Sequence, residues 1–166
     1  MYFVPTIAAI LCLLPASSAF EFTLPDPNNK LNLSAPSIEI AWDREGGSGG
    51  AEYQQVDIWF QATGESNTFS WGLEANVSAN DGNYTWDPRE IKDLLTENRN
   101  TLLAAKVHHF EARLHNANSS AGAQIESDEY EVEGYDNIVS GANVMRSRNG
   151  GLLVASGVFM VLAWSL

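Results

Sequence analysis

The feature that most constrains this chain is an alternation of apolar and polar residues in several separate stretches. Val56, Ile58 and Phe60, for example, occupy every second position. A period of two is typical of β-strands that bury one face and expose the other. The same period recurs in five further stretches, which are 38–42, 69–77, 84–86, 108–114 and 129–133. This alternation predicts β-sheets rather than helices.

Turn-forming residues separate these stretches. They are concentrated at 25–29, 46–50, 80–83 and 116–122, where Pro, Gly, Asn and Asp dominate. Short apolar pieces at 22–24 and 31–33 add edge strands. Seven or eight such strands in a single domain predict an all-β fold, an antiparallel β-sandwich of immunoglobulin or fibronectin-III-like type.

One helical segment interrupts the strands. Asp87 is suited to the N-cap, Pro88 to the first helical position, and Glu90 completes a capping box. The apolar residues that follow at helical spacing are Ile91, Leu94 and Leu95. We expect a short helical insertion that ends near Thr96 and covers one end of the sandwich.

The carboxyl end has the composition of a signal for a glycosylphosphatidylinositol (GPI) anchor. The small residues 140–142 precede a polar spacer, 143–151, and an apolar tail, 152–166. The tail is shorter than the about 20 apolar residues of a usual membrane-spanning helix. We expect Ser140 to receive the lipid, with Gly141 and Asn143 as the next candidates. A C-terminal tail anchor is the alternative.

The amino end has the composition of a secretory signal peptide. An apolar run, 6–14, is followed by small residues up to Ala19, which predicts cleavage before Phe20. An uncleaved signal anchor is the alternative. The expected organisation is therefore a signal peptide at 1–19, a sandwich domain at 20–136, a short tether at 137–140 and a GPI propeptide at 141–166. The mature protein would be extracellular, lipid-anchored at the plasma membrane or cell wall.

Composition narrows the classes of function. The only cysteine, Cys12, lies in the expected signal peptide, so the domain would have no disulfide and no thiolate. Removing both ends leaves seven basic against 21 acidic residues, a net charge of −14. Such a surface repels phosphate backbones, which argues against nucleic-acid binding.

Four Asn-X-Ser/Thr sequons fit an exposed, glycosylated ectodomain. They begin at Asn32, Asn76, Asn83 and Asn118. We expect Asn83 to be the least used, because it adjoins a strand that is predicted to be packed.

No residue pattern predicts catalysis, a metal or a cofactor. His108 and His109 are neighbours in a strand and point to opposite faces, and His115 lies far along the strand from His109. The spacing of His, Cys and carboxylate residues matches no zinc motif. The acidic run 126–133 could hold Ca²⁺, but a solvated strand edge is the favoured interpretation.

The tryptophans divide into two groups. Three of them, Trp42, Trp71 and Trp86, fall on the inward phase of their strands and are predicted to be core residues. Trp59 is out of phase with its apolar neighbours. We expect an exposed Trp59 beside Tyr53, a pair that could stack against a sugar ring. Partial burial of Trp59 under a loop is the alternative.

The order of several short motifs resembles a known family. These are Phe22-Thr23-Leu24-Pro25, Val56-Asp57-Ile58-Trp59-Phe60, Gly82-Asn83-Tyr84-Thr85-Trp86-Asp87-Pro88 and Ser127-Asp128-Glu129-Tyr130-Glu131-Val132. The chain is similar to the KRE/KNH-like N-terminal domain of yeast cell-wall synthesis proteins and of Ser/Thr-rich GPI-anchored membrane proteins. The resemblance implies an immunoglobulin-like sandwich at the fungal surface, associated with β-1,6-glucan assembly and without catalytic residues. The chain departs from that family in lacking a Ser/Thr-rich stalk and a Lys-rich C-terminal domain.

These observations predict a non-enzymatic surface protein that acts in cell-wall organisation or β-glucan assembly. Its partners would be wall polysaccharide (β-glucan) or wall and surface proteins, and a GPI lipid would hold it at the membrane. Two alternatives remain open. One is a small wall-modifying or metal-dependent enzyme, and the other is a secreted surface interaction protein.

Overall fold

The computed structural model describes residues 20–44, 52–117 and 122–140. These ranges hold eleven strands and one helix. In chain order they are β1 (Glu21–Leu24), β2 (Leu31–Asn32), β3 (Ile38–Asp43), β4 (Gln55–Thr63), β5 (Thr68–Ser78), β6 (Asn83–Trp86), α1 (Arg89–Glu97), β7 (Leu102–Leu103), β8 (His109–His115), β9 (Ala123–Glu126), β10 (Val132–Glu133) and β11 (Ile138–Val139). The expected signal peptide, the propeptide, the glycine run 46–50 and Asn118 lie outside the described residues.

The seven longest strands form two antiparallel sheets. One sheet has three strands in the order β1-β3-β6, and the other has four in the order β5-β4-β8-β9. Strands β4 and β8 are the inner strands of the larger sheet. Gln55 of β4 lies opposite Ser78 of β5 and His115 of β8. The all-β fold class predicted from the alternating pattern is confirmed.

Aromatic rings join the two sheets. Trp86 of the smaller sheet lies 5.0 Å from Phe60 and 5.8 Å from Phe110 of the larger sheet, measured between ring centroids. Trp42 and Trp86 are buried in the core, as predicted. Trp71 is half-buried and stacks between Phe60 and Phe69. The two sheets therefore enclose one aromatic core between them.

Burial along β4 follows the alternation closely. Val56, Ile58, Phe60 and Ala62 are all 0 % exposed. The residues between them are half-buried and lie on the opposite face of the sheet. Successive side chains of a strand point to opposite faces, which is why a period of two in sequence becomes a two-faced sheet.

Helix α1 forms where the capping signals predicted it. Ile91 and Leu95, four residues apart on one face, are buried, and Leu94 is partly buried. Asp87 Oδ1 accepts the backbone N–H of Arg89 at 3.0 Å, although Pro88 occupies the N-cap position. None of the described residues forms a helix that is long and apolar enough to cross a membrane.

Two short parallel ladders were not anticipated. Strand β2 pairs with β10, and β7 pairs with β11. Strand β11 occupies the segment expected to be a tether, and its Ile138 packs against the core. Strands β2 and β10 lie within the predicted stretches 31–33 and 129–133, but β7 and β11, of two residues each, show no alternation that could reveal them.

The acidic segment near the end of the domain also differs from its expected form. Tyr130 and Val132 are buried, in agreement with the alternation, but only Val132 and Glu133 form a strand. Tyr130 makes an isolated antiparallel bridge with His108 instead. Strand β9 lies in the polar stretch 123–126, where no strand was expected, and pairs with β8.

Candidate binding face on the four-stranded sheet

The surface of the four-stranded sheet that points away from the core is its most polar and most organised side. We call it the outer face. Its side chains come from alternate positions of all four strands. They are Ser70 and Gly72 of β5, Asp57, Trp59 and Gln61 of β4, His109, Glu111, Arg113 and His115 of β8, and Gln124 and Glu126 of β9.

Trp59 lies at the centre of the outer face. It is opposite Gly72 on one side and Glu111 on the other, and Glu111 is in turn opposite Glu126. Strand spacing and residue rise make the face roughly 14 Å wide and roughly 20 Å long. It is broad and shallow rather than a closed cleft.

The indole of Trp59 is covered on the sheet. A Cβ placed on Gly72 would lie 3.6 Å from the ring, so the ring packs against this glycine. The Arg113 guanidinium lies over the ring, with its Cζ 4.0 Å from the centroid. Trp59 Nε1 is buried and has no hydrogen-bond partner among the residues that the structure describes. A ligand approaching from solvent therefore meets the guanidinium before the indole.

Hydrogen bonds fix Arg113 over the ring. Its Nε donates to Glu111 Oε1, and Gln61 Nε2 donates to the other oxygen, Oε2, at 3.1 Å. The Glu111 side chain is 6 % exposed, whereas that of Arg113 is 39 % exposed. The buried Glu111 carboxylate thus holds Arg113 in place, while the guanidinium of Arg113 remains partly exposed to solvent. Because the guanidinium carries five N–H donors in a rigid fork, donors remain for a ligand.

The carboxylate of Asp57 accepts hydrogen bonds where the pairing of β4 and β5 is irregular. The register between β4 and β5 shifts between Val56 and Ile58. Asn76, which has a φ of 58°, donates its backbone N–H to Asp57 Oδ1 at 2.8 Å. His115 Nε2 donates to the same oxygen at 3.1 Å. The carboxylate therefore satisfies the amide that the bulge leaves unpaired.

An open depression of about 420 Å³ lies beside these groups. Its polar lining side chains are Asp57, Arg113, His115 and Gln124. They combine a carboxylate, a guanidinium, an imidazole and an amide, so both donors and acceptors of hydrogen bonds converge there. This combination suits a ligand rich in hydroxyl groups better than one with a single charge.

The outer face also pairs its acids with bases of β8. Glu111 contacts Arg113, Asp57 contacts His115, and Glu126 lies 4.0 Å from His109. Arg113 is the one permanent cation in these pairs, because a histidine is charged only when protonated. The acids and bases of the face therefore balance only when both histidines are protonated.

The structure separates the two aromatic residues that were expected to act together. Trp59 lies on the outer face, whereas Tyr53 precedes β4 and packs against the hydrophobic core. Among the described aromatic residues, no ring contact joins the two. The surface around Trp59 is built from Arg113 and Glu111 instead.

Sequence reasoning did not single out Arg113, Glu111 or Gln61. The alternation in 108–114 placed Glu111 and Arg113 outward, which was a usable signal. It could not show that β8 lies beside β4, since the register of two strands is a tertiary property. Without that register, Arg113 could not be assigned to the ring of Trp59.

The predicted modification sites are at the surface where the structure describes them. Asn32, Asn76 and Asn83 are exposed, and so is Ser140, which directly follows β11. Asn76 lies at the β5 margin of the outer face, and Asn32 and Asn83 lie on strands β2 and β6. Within the described ranges, no cluster of three or more His, Cys, Asp or Glu residues could hold a metal ion.

The chain was compared with protein-family models, curated proteins and solved structures. No family model, no curated protein and no solved structure matches the chain.

Proposed function

We propose that this chain is an extracellular, non-enzymatic β-sandwich that binds polysaccharide through the outer face. It acts in fungal cell-wall organisation or β-glucan assembly, as the resemblance to the KRE/KNH-like family implies. Its fold is of the immunoglobulin-like type, and a GPI lipid on Ser140 holds it at the membrane or wall. The ligand class is a neutral glucan.

The observation that carries this proposal is the guanidinium of Arg113 held over Trp59 by Glu111. An arginine stacked on an aromatic ring loses little conformational freedom when it binds, because it is already ordered. Its side chain is partly exposed and lines the depression together with the carboxylate of Asp57 and the amide of Gln124. Such a set donates and accepts hydrogen bonds at once, as the hydroxyl groups of a sugar require.

The shape of the outer face fits a chain rather than a small molecule. Small-molecule sites are usually concave and largely apolar. This face is open, polar and about four strands wide, and it is built on strands rather than loops, which holds its side chains in place. An extended polysaccharide could cross several strands and contact each row of side chains in turn.

The positions of the sequons are compatible with ligand binding at the outer face. Glycans on Asn32 and Asn83 would project from β2 and β6, which belong to other sheets. A glycan on Asn76 would stand at the margin of the outer face. The centre of the face, at Trp59 and Arg113, would stay accessible.

A binding measurement tests the proposal. The full chain, kept in detergent micelles, is titrated with soluble β-glucan by calorimetry, alongside Arg113→Ala and a matched control, Arg89→Ala. Arg89 is also exposed, and it pairs with Asp87 next to α1, away from the outer face. We expect Arg113→Ala to weaken binding by about tenfold or more, since hydrogen bonds to a charged group contribute about 1.5–3 kcal/mol. Equal affinities for the two variants, or no binding by the wild-type chain, would overturn the proposal.

The two alternative functions give different results with the same samples. Turnover of β-glucan, measured as new reducing ends and abolished by Glu126→Gln, would identify an enzyme. Binding of a surface protein that Arg113→Ala does not weaken would identify an interaction protein with another binding surface.

The lipid anchor is tested separately. We expect a phosphatidylinositol-specific phospholipase to release the protein from intact cells. Mass spectrometry of the released protein should find a C-terminal peptide that ends at Ser140. Recovery of residues 152–166 in the cell-derived protein would contradict the anchor and would leave the binding proposal standing.

A further inference from the structure

A fully buried ionisable group, His108, lies on the inner side of the sheet, away from the binding face. His108 is 0 % exposed and immediately precedes β8. Both nitrogens of its ring are hydrogen-bonded to backbone groups. Nε2 donates to the carbonyl of Leu103 at 2.8 Å, and Nδ1 accepts the backbone N–H of Thr63 at 3.2 Å.

These two partners fix the protonation state of the ring. A backbone carbonyl can only accept a hydrogen bond, so Nε2 must carry a proton. A backbone amide can only donate, so Nδ1 must be free of one. The ring is therefore the neutral Nε2–H tautomer, and a second proton on Nδ1 would face the N–H of Thr63.

The imidazole joins two segments that are far apart in the chain. Thr63 is the last residue of β4, and Leu103 ends β7. Strand β7 in turn holds β11, because Leu102 N–H donates to Asn137 O at 3.0 Å and Ala104 N–H donates to Val139 O at 2.8 Å. Strand β11 is the last strand before Ser140. His108 is thus a link between the main sheet and the ladder through which the chain leaves the domain.

We infer that His108 is an acid-sensitive latch that releases the β7–β11 ladder from the end of β4 when its ring is protonated. Protonation replaces the hydrogen bond to Thr63 with two opposed N–H groups. It also places a charge in a site that excludes water, which costs free energy unless the site opens. Opening would free the segment that leads to the predicted anchor residue.

The surroundings of the ring favour its neutral form. Burial lowers the pKa of His108, and the neighbouring His109 acts in the same direction, while the carbonyl of Leu103 and the carboxylate of Glu129 oppose it. Tyr130, whose backbone bridges to His108, is the other titratable residue in contact, and its pKa is raised by burial. At acid pH Tyr130 is neutral and adds no charge.

The direction of the pH effect follows from this lowered pKa. An unfolded histidine titrates near about 6.5. Below that pH the His108 ring is protonated in the opened state but stays neutral in the closed state. The closed state therefore loses stability as the pH falls from about 6.5 to the lower pKa of the buried ring. Stability should therefore be highest above about pH 6.5 and decline on the acid side, with roughly a tenfold change in the opening equilibrium for each pH unit in this window.

Hydrogen exchange measures the opening directly. The full chain in micelles is followed from pH 7.5 to pH 4.5, with each rate corrected for the intrinsic exchange rate at that pH. We expect protection of the Leu102 and Ala104 amides to fall below pH 6.5, while amides at the centre of β4, such as Phe60, stay protected. Unchanged ladder protection relative to Phe60 over this range would overturn the inference.

Substitutions show whether His108 is the responsible group. His108→Asn retains an acceptor for Thr63, and His108→Gln can reach the carbonyl of Leu103, but neither titrates. We expect the acid-dependent loss of protection to disappear in both, and His115→Gln, on the outer face, to retain it. If neither His108 variant folds, an NMR titration of the His108 ring in the wild-type chain tests the inference instead. A His108 ring that protonates above pH 6.5 without loss of ladder protection would overturn the latch.

Discussion

The two faces of the four-stranded sheet use the same strands but differ in what holds them in place. On the inner face, alternate residues of β4 are fully buried against aromatic rings from both sheets. On the outer face, the residues between them make a network of hydrogen bonds and ion pairs around Trp59. The neighbours His108 and His109 show the contrast at adjacent positions of the chain. His108 is buried between backbone groups, whereas His109 is half-exposed beside Glu126.

This difference separates stability from binding. Apolar burial is non-directional and large, so the inner face can hold the fold by packing alone. Polar contacts on the outer face contribute less net free energy, because the same groups would otherwise bind water. They do fix the positions of side chains, which is what a binding surface requires. The following substitutions test the contrast, from the largest expected effect to the smallest.

Phe110→Ala should have the largest effect because it removes a ring from the centre of the inner face. Phe110 is 0 % exposed and lies within 5.8 Å of the rings of Phe60, Trp86 and Tyr130. We expect a loss of about 3–5 kcal/mol in the free energy of unfolding. Urea denaturation measures it, with Phe69→Ala as the half-exposed control. A loss no greater than that of Phe69→Ala would contradict a core centred on Phe110.

Glu111→Ala tests the support of the outer face. It leaves Gln61 Nε2 and Arg113 Nε without their shared acceptor. We expect a loss of about 1–3 kcal/mol, smaller than for Phe110, because Arg113 can turn toward water. The matched control is Glu126→Ala, because the Glu126 side chain is 61 % exposed. Similar stability of the two variants, measured by thermal unfolding, would show that the buried carboxylate is not a support.

Gly72→Ala should have a small effect of opposite sign. An added Cβ would make ordinary contact with the Trp59 ring at 3.6 Å, and alanine reduces the freedom of the unfolded chain. We expect a gain of about 0.4–1 kcal/mol. Gly64→Ala is the informative control, because its Cβ would clash with the carbonyl of Thr101. Calorimetry should show a higher melting temperature for the first variant and a lower one for the second. A destabilised Gly72→Ala would mean that the indole packs more tightly there than the structure indicates.

Lys30→Ala should have no measurable effect on stability. Lys30 Nζ lies 2.8 Å from Glu131, but both side chains are largely exposed and belong to neither face of the sheet. Water and salt screen such a pair. A melting temperature equal to that of the wild-type chain is the expected result. A clear decrease would show that exposed ion pairs matter here as much as the outer-face network does.

The sequence carried most of the information about the fold and little about the site. Alternation in 56–60 and 108–114 predicted which residues of β4 and β8 face the core, since side-chain direction is a local property of a strand. It did not predict that Glu111, on the outward phase, is buried as well. It also placed Trp59 outside the core. The Tyr53 partner suggested for it packs elsewhere, because nearness in sequence says little about nearness on a sheet.

What the sequence determined by itself was therefore the class of fold and the direction of each side chain within its own strand. Its period of two, its turn residues and the capping residues of α1 act over a few neighbouring residues, so they can be read without knowing the rest. Only the tertiary structure decided which strands are neighbours and in what register. That register sets Arg113 over Trp59, buries Glu111 beneath it, and places His108 between β4 and β7. Contacts between distant parts of a chain depend on the packing of the whole domain, and local patterns do not encode it.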